Sequence, residues 1–266
     1  MNNSEKLNED LMTNIKTIFN STIEIKNCNL DSTVPFESDK LCKIENVVSV
    51  FIDMAGSTNI SIRRHQKGAS KVFKAYIDSF VKIFDSYGAR FIDIQGDGGF
   101  ILFDGKTQEQ RKQALASAIH TVNFISRELA PFVKKQTDID LSVRVGIDFG
   151  TIFAKKFGRR NKQGSEYMNE KVWLGKPVSI SSKLCNDKEI AGENTIRVSD
   201  RFFDSISKTD YTNVNHNFFT LKYNGSDTYE LYFQYKSTNI PSIEKVYILE
   251  TKICNNQFGF CSNFLK

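Results

Sequence analysis

The sequence predicts an α+β fold, a ferredoxin-like, antiparallel-rich sheet covered by helices. Three observations carry this. Short apolar runs of strand length alternate with longer stretches in which apolar residues recur every three or four positions. The elements follow the order β-α-β-β-α-β-β-α-β-α-β, with two helices per split β-α-β repeat, which puts the helices on one side of the sheet. Two of the apolar runs also deliver an aspartate among glycines. Val47–Ile52 leads into Asp53-Met54-Ala55-Gly56-Ser57-Thr58, and Ala89–Ile94 leads into Gln95-Gly96-Asp97-Gly98.

Along the chain, Leu7, Leu11, Ile15, Ile18 and Phe19 fall at helical spacing and predict an amphipathic helix, followed by a linker over Thr33–Lys40. Residues 1–45 therefore form an N-terminal helix and linker. The main domain spans 46–236, and 237–266 is a C-terminal extension. Val47–Ile52 is a buried strand. The next helix has one apolar face made by Val72, Phe73, Tyr76, Ile77, Phe80, Val81 and Phe84, and Gly88 fits its C-terminal stop. Arg90–Ile94 and Gly99–Phe103 form a hairpin about Gln95-Gly96-Asp97-Gly98. Thr107 and Gln110 then make a capping box for a helix buried through Ala114, Leu115, Ala118, Ile119, Val122, Ile125 and Leu129.

Leu141–Ile147 is a strand, Gly150–Ala154 begins another, and the polar stretch Gly158–Glu170 reads as an arm. A short helix over Val178–Leu184, a strand at Ile196–Val198, a helix over Asp200–Ile206 and a hairpin over Leu221–Tyr235 complete the domain. One more strand, Val246–Leu249, falls in the extension.

The chain has 266 residues, 40% hydrophobic and 25% charged, the balance of a soluble globular protein. No apolar run reaches membrane-spanning length, and the polar start Met1-Asn2-Asn3-Ser4-Glu5-Lys6 is no signal peptide, so a cytoplasmic protein with no membrane span is expected. Lys155, Lys156, Arg159, Arg160 and Lys162 cluster as a solvated basic hairpin. No aromatic-interleaved basic ladder accompanies them, so no nucleic-acid partner is expected. The five cysteines are odd in number and lack C-x-x-C spacing, and they read as reduced packing residues. None of the three histidines pairs with a cysteine at ligand spacing, so any metal must be held by oxygen. Two strand-borne carboxylates, Asp53 and Asp97, suit hard divalent cations held over a phosphate chain.

Here the sequence resembles the class III nucleotidyl cyclases, over roughly residues 46–236. Phe51-Ile52-Asp53-Met54-Ala55-Gly56-Ser57-Thr58 resembles the family's F-x-D-φ-x-G-S-T. Asp93-Ile94-Gln95-Gly96-Asp97-Gly98 resembles K-x-x-G-D, and Val143-Arg144-Val145-Gly146-Ile147-Asp148-Phe149-Gly150 resembles V-G-I-H-x-G. The resemblance implies a head-to-tail homodimer with its sites shared between chains. Asp53 and Asp97 would bind two divalent cations, Mn²⁺ or Mg²⁺, with the Met54 carbonyl completing a shell. The backbone of Ala55, Gly56, Ser57 and Thr58 would cradle the phosphates. Where the family reads G-x-x-V-N-x-A-x-R, this chain reads Gly175-Lys176-Pro177-Val178-Ser179-Ile180-Ser181-Ser182-Lys183. Ser179 thus stands for the ribose-orienting asparagine and Lys183 for the arginine that meets the α-phosphate. Lys222 resembles the triphosphate-binding lysine.

Two positions read the base in this family, and here they are Asp93 and Val172, or Trp173 one register on. A carboxylate at Asp93 cannot donate to adenine N1, but it can accept from cytosine N4–H₂, uracil N3–H or guanine N1–H. The apolar Val172 and the bulk of Trp173 suit a small base, which favours a pyrimidine, with CTP slightly ahead of UTP. The chain is thereby most similar to the pyrimidine cyclases of Pycsar anti-phage systems, whose cyclic nucleotide activates a partner effector. The alternatives are a guanylate or adenylate cyclase of general signalling, a catalytically silent cyclase-like nucleotide sensor, and a polymerase-like palm or diguanylate cyclase. The Gly96-Asp97-Gly98-Gly99 turn departs from the G-G-D/E-E-F of the diguanylate cyclases.

Overall fold

The computed structural model describes residues 3–31, 40–57, 66–160, 166–187, 192–207, 218–223, 227–232 and 234–250. In chain order the elements are α1 (Asn3–Asn20), β1 (Glu24–Asn27), β2 (Lys40–Ala55), α2 (Gln66–Ser86), β3 (Phe91–Gln95), β4 (Gly98–Asp104) and α3 (Gln108–Phe124). A π-helical turn (Ile125–Leu129) joins α3 to α4 (Ala130–Thr137). Then come β5 (Ser142–Arg160), β6 (Glu166–Leu174), α5 (Lys176–Asn186), β7 (Thr195–Ser199), α6 (Asp200–Ser207), β8 (Phe218–Tyr223), β9 (Asp227–Tyr232), β10 (Gln234–Ser237) and β11 (Lys245–Glu250). Among the described residues no helix is long and apolar enough to cross a membrane.

The chain divides into two compact units, Met1–Ile44 with Phe153–Trp173 and Glu45–Ile152 with Leu174–Lys266. In the first, α1 forms where the apolar spacing predicts it, and its stripe of Leu7, Leu11, Ile15, Ile18 and Phe19 is exposed. The strand β1 pairs in parallel with the start of β2, setting Lys26 opposite Cys42. That pairing carries Cys28 to a Cα–Cα distance of 5.5 Å from Cys42, and the two form a disulfide. The expectation of reduced packing cysteines is therefore wrong for this pair. The residues are brought together by strand pairing, which neither their number nor their spacing records. The expectation holds for Cys185, which is free and buried, its thiol pushed up to about 12 chiefly by desolvation.

In the second unit the main sheet runs β10-β11-β7-β5-β2-β4-β3. The pairs β2–β4, β3–β4, β7–β11 and β10–β11 are antiparallel, and β5–β7 is parallel. The hairpin β8–β9 forms a separate two-stranded sheet. Strand side chains alternate between faces. On one face Val48, Val50, Ile52 and Met54 of β2, Val143, Val145 and Ile147 of β5 and Tyr247 and Leu249 of β11 join Tyr76, Phe80 and Phe84 of α2 in the main core. Ala114, Ala118 and Ile119 of α3 and Phe202 and Phe203 of α6 belong to it too. The opposite residues of β11, Val246 and Ile248, pack instead with Ile180 and Leu184 of α5. Helices therefore cover both faces, and α5 is the departure from the one-sided arrangement the element order suggested.

Local signals act where the sequence places them. Thr107 and Gln110 form the reciprocal capping box of α3. After α2, Gly88 adopts φ +83 and Ala89 N–H reaches back to the Phe84 carbonyl, closing the helix. One boundary differs. The two strands expected over Leu141–Ala154 are a single strand, β5, which runs through Gly150 and extends into the polar stretch as far as Arg160.

Candidate active site

Alternation along β2 sends Ile52 and Met54 into the core and turns Phe51 and Asp53 to the opposite face, near the strand's end. The next strand in sequence, β3, returns as β4 through a two-residue loop, Gly96-Asp97, with Gln95 opposite Gly98. Gly96 adopts φ +64 at the first loop position, where a II′ hairpin asks for glycine. Strand β4 pairs with β2 so that Ile52 faces Gly99, which brings Gly98 alongside Asp53. A Cβ on Gly98 would stand 2.6 Å from the Ile52 carbonyl oxygen and 3.5 Å from Asp53 Oδ1, so only glycine lets the hairpin tip approach β2 this closely. Asp97 is thereby delivered beside Asp53, near enough for its negative charge to raise the Asp53 pKa.

A third charged group completes this cluster. On β5, alternation sends Val143 and Val145 into the core and Arg144 to the Asp53 face, where its Nη2 donates to Asp53 Oδ2 at 3.0 Å. Asp53 has its pKa raised by burial first and by the negative charge of Asp97 second, against the lowering charge and hydrogen bond of Arg144. Two buried polar atoms beside this cluster have no hydrogen-bond partner, Arg144 Nε and Tyr76 Oη. The Tyr76 phenol is pushed well above its ordinary value by burial and then by the charges of Cys185, Asp53 and Asp97. Neither Arg144 nor Tyr76 was singled out in the sequence as a site residue. The readable signal was an arginine in the middle of the apolar strand Val143–Ile147.

The converging carboxylate oxygens of Asp53 and Asp97 are hard donors that fit divalent cations. Among the described residues no group of three or more His, Cys, Asp or Glu forms a protein-only metal cage. The two carboxylates and backbone oxygens would have to share an ion with a ligand. The Met54 side chain is buried in the core, so only its carbonyl could contribute. At the strand's end Ala55 is buried, and beyond it Gly56 takes φ +78, with Ser57 next. Thr58 lies outside the described residues.

Asp93 sits on β3 opposite Phe100 of β4, and Phe100 is opposite Phe51 of β2, so Asp93 shares the sheet face of Asp53. It is half-buried and accepts a hydrogen bond from Gln95 Nε2 at 3.3 Å. Beside it Phe51 packs tilted against Phe100 at a centroid distance of 4.9 Å, and Phe91 meets Phe100 edge-on at 6.0 Å.

Helix α5 lies on this same face. Gly146 of β5 approaches it so closely that a Cβ would stand 2.1 Å from the Ser181 carbonyl oxygen, and Ser181 Oγ meets Ser49 Oγ of β2 at 2.7 Å. The fully buried Arg197 of β7 donates to the carbonyls of Leu184 at 2.8 Å and Gly192 at 3.0 Å, fixing the helix's C-terminal end. With Pro177, Ile180, Ser181, Leu184 and Cys185 turned inward, Ser179 and Lys183 are exposed on the outer side. Val172 is half-buried and Trp173 buried, both on β6 of the first unit. Lys222 lies on β8 opposite Thr228, with its side chain outside the described residues.

Comparison with known proteins bears on this arrangement. Residues 40–235 match the adenylate and guanylate cyclase catalytic domain. The chain is 29% identical over 177 residues to a uridylate cyclase of Propioniciclava tarda, covering 65% of this chain and 54% of that protein. It is 28% identical over 185 residues to a uridylate cyclase of Micromonospora echinofusca, covering 69% and 58%. It is 27% identical over 157 residues to a cytidylate cyclase of Staphylococcus aureus, covering 56% and 36%. The chain thus spans little more than half the length of the first two relatives and less of the third. Among solved structures it superposes on the adenylyl cyclase CyaB of P. aeruginosa with a TM-score of 0.59 at 16% identity, covering 79% of this chain and 95% of that one. On the guanylate cyclase domain of RhGC from Catenaria anguillulae, solved with GTP, the TM-score is 0.56 at 16% identity, covering 78% and 97%. With that domain spanning most of its length, this chain belongs to the adenylate and guanylate cyclase catalytic domain family, the class III nucleotidyl cyclases.

Proposed function

We propose that the chain is a pyrimidine nucleotide cyclase, converting UTP or CTP into the 3′,5′-cyclic nucleotide and pyrophosphate. The observation that carries this reading is the convergence of the Asp53 and Asp97 carboxyl groups, with Asp93 on the same sheet face. Asp53 and Asp97 would hold two divalent cations, Mn²⁺ or Mg²⁺, which would supply charge to acidify the ribose 3′-hydroxyl and bind the triphosphate. Asp53 and Asp97 hold that charge in place, and the Ala55–Thr58 backbone cradles the phosphates. The 3′-oxygen gives up its proton to solvent water and bonds to the α-phosphorus as the bond to pyrophosphate breaks. Asp93 accepts from cytosine N4–H₂ or uracil N3–H.

Ser179 and Lys183 point away from their own chain's sheet, which supports a head-to-tail homodimer in which they meet the partner's substrate at ribose and α-phosphate. Lys222 adds charge to the triphosphate. The names of the relatives, uridylate and cytidylate cyclase, support a pyrimidine substrate. On this reading the product is a cytoplasmic second messenger that activates an anti-phage effector.

The test is to incubate the pure protein with all four nucleoside triphosphates and Mn²⁺ and to identify the products by mass spectrometry. Cyclic UMP or cyclic CMP is expected to dominate. Chiefly cyclic GMP would make Asp93 a guanine reader and end the pyrimidine reading. No product from any nucleotide, with nucleotide bound, would make the protein a silent sensor.

A further inference from the structure

We infer that Arg144 is a positioning residue that holds Asp53 while the cation site is empty and makes cation loading depend on the nucleotide. The inference rests on the cyclase reading for the ions and substrate, and on the geometry of β5 for the arginine. Arg144 reaches Asp53 Oδ2 at 3.0 Å from a strand whose neighbouring residues are apolar, with 9% of its side chain exposed. Its Nε has no partner. An arginine serving only the fold would satisfy its donors, as Arg197 does by donating to carbonyls. Arg144 instead directs Nη2 at the carboxylate best placed to ligate an ion and leaves Nε unmatched.

A fixed positive charge there has two effects. It offsets the repulsion between Asp53 and Asp97, so the two carboxylates stay together without an ion. It also repels a divalent cation arriving at Asp53, because the guanidinium stays charged. A bare ion is therefore held weakly. An ion arriving with a triphosphate brings compensating negative charge, and the guanidinium no longer opposes it. The site would fill with nucleotide and cation together and remain largely unloaded with either alone.

The experiment measures Mn²⁺ binding by the loss of the free-ion EPR signal, with and without a 3′-deoxynucleoside triphosphate, 3′-deoxy-UTP, which cannot cyclise. In wild type, 3′-deoxy-UTP should strengthen Mn²⁺ binding strongly. In Arg144→Met, Mn²⁺ alone should bind about tenfold more tightly than in wild type, and the strengthening by 3′-deoxy-UTP should shrink by a similar factor. Arg144→Gln, which keeps donors but drops the charge, should behave alike and serves if the Met variant fails to fold. Arg144→Lys should stay near wild type. Asp53→Asn in the Arg144→Met or Arg144→Gln background should abolish the gain, tying it to this carboxylate. Equal or weaker Mn²⁺ binding in the folded neutral variants overturns the inference. Wild type that captures no Mn²⁺ even with 3′-deoxy-UTP overturns the cation site of the cyclase reading itself, a separate result.

Discussion

Two aspartates on neighbouring strands each meet an arginine, and their surroundings differ sharply. Asp148 of β5 is fully buried and saturated. It accepts from the Ser199 hydroxyl and the Arg201 guanidinium. Asp53 of β2 is a quarter exposed and has a carboxylate neighbour, an arginine with an idle nitrogen, and an orphaned phenol close by. The same two residue types make a brace in one place and an under-satisfied cluster in the other. A satisfied buried charge stabilises the native arrangement, whereas an under-satisfied one keeps capacity for a ligand.

The largest effect should come from breaking the under-satisfied cluster. Asp53→Asn and Asp97→Asn should each lower turnover by about a thousandfold or more while circular dichroism stays native, because each removes charge that the reaction needs. Near-normal turnover in either variant would remove the two-cation site. Next, an Asp53→Asn chain mixed with a Lys183→Ala chain should recover up to about half of wild-type activity per mixed dimer, since one composite site carries both lesions and the other neither. If subunits exchange and no activity returns, each chain works alone.

Breaking the brace should cost stability. Arg201→Ala should lower the urea-unfolding free energy by about 3 kcal/mol, the low end for a broken buried pair because Arg201 is itself one-third exposed. Asp148 already has its pKa raised from 3.8 by burial, against the lowering effects of Ser199 and Arg201. Removing Arg201 raises it further. Ionising such a group costs stability as pH rises through its folded-state value, so the gap between variant and wild type should widen above pH 3.8 and narrow as protonation relieves Asp148. A gap independent of pH would show that Arg201 acts through packing alone. The smallest effect concerns Asp93. Asp93→Lys should shift base preference away from the natural pyrimidine by about tenfold, as a donor replaces an acceptor. Unchanged competition among the four nucleotides would place Asp93 outside base recognition.

What the sequence made legible was local or periodic. The capping box at Thr107 and Gln110, the stop at Gly88 and the two-residue turn at Gly96-Asp97 are specified within a few residues, and all appear where expected. The aspartates stood out because carboxylates among glycines at strand ends are chemically conspicuous. The disulfide was hidden because Cys28 and Cys42 meet only through the parallel pairing of β1 with β2. The second helical layer was hidden because the side of a sheet that a helix covers depends on distant packing, here of α5 on Val246 and Ile248. Arg144 lay inside a recognised motif, yet its partner is 91 residues away, and strand alternation alone could not say which carboxylate it would find.

Gly98 gives the site a hard mechanical stop. The hairpin tip rests against the Ile52 carbonyl at a distance that admits no side chain, so backbone meeting backbone gauges the gap between Asp53 and Asp97. Side chains in a core yield by rotating, but a contact of this kind has no such slack. The spacing on which two ions and a phosphate chain would depend is therefore set by main chain at the tip, and a side chain at position 98 would change it directly.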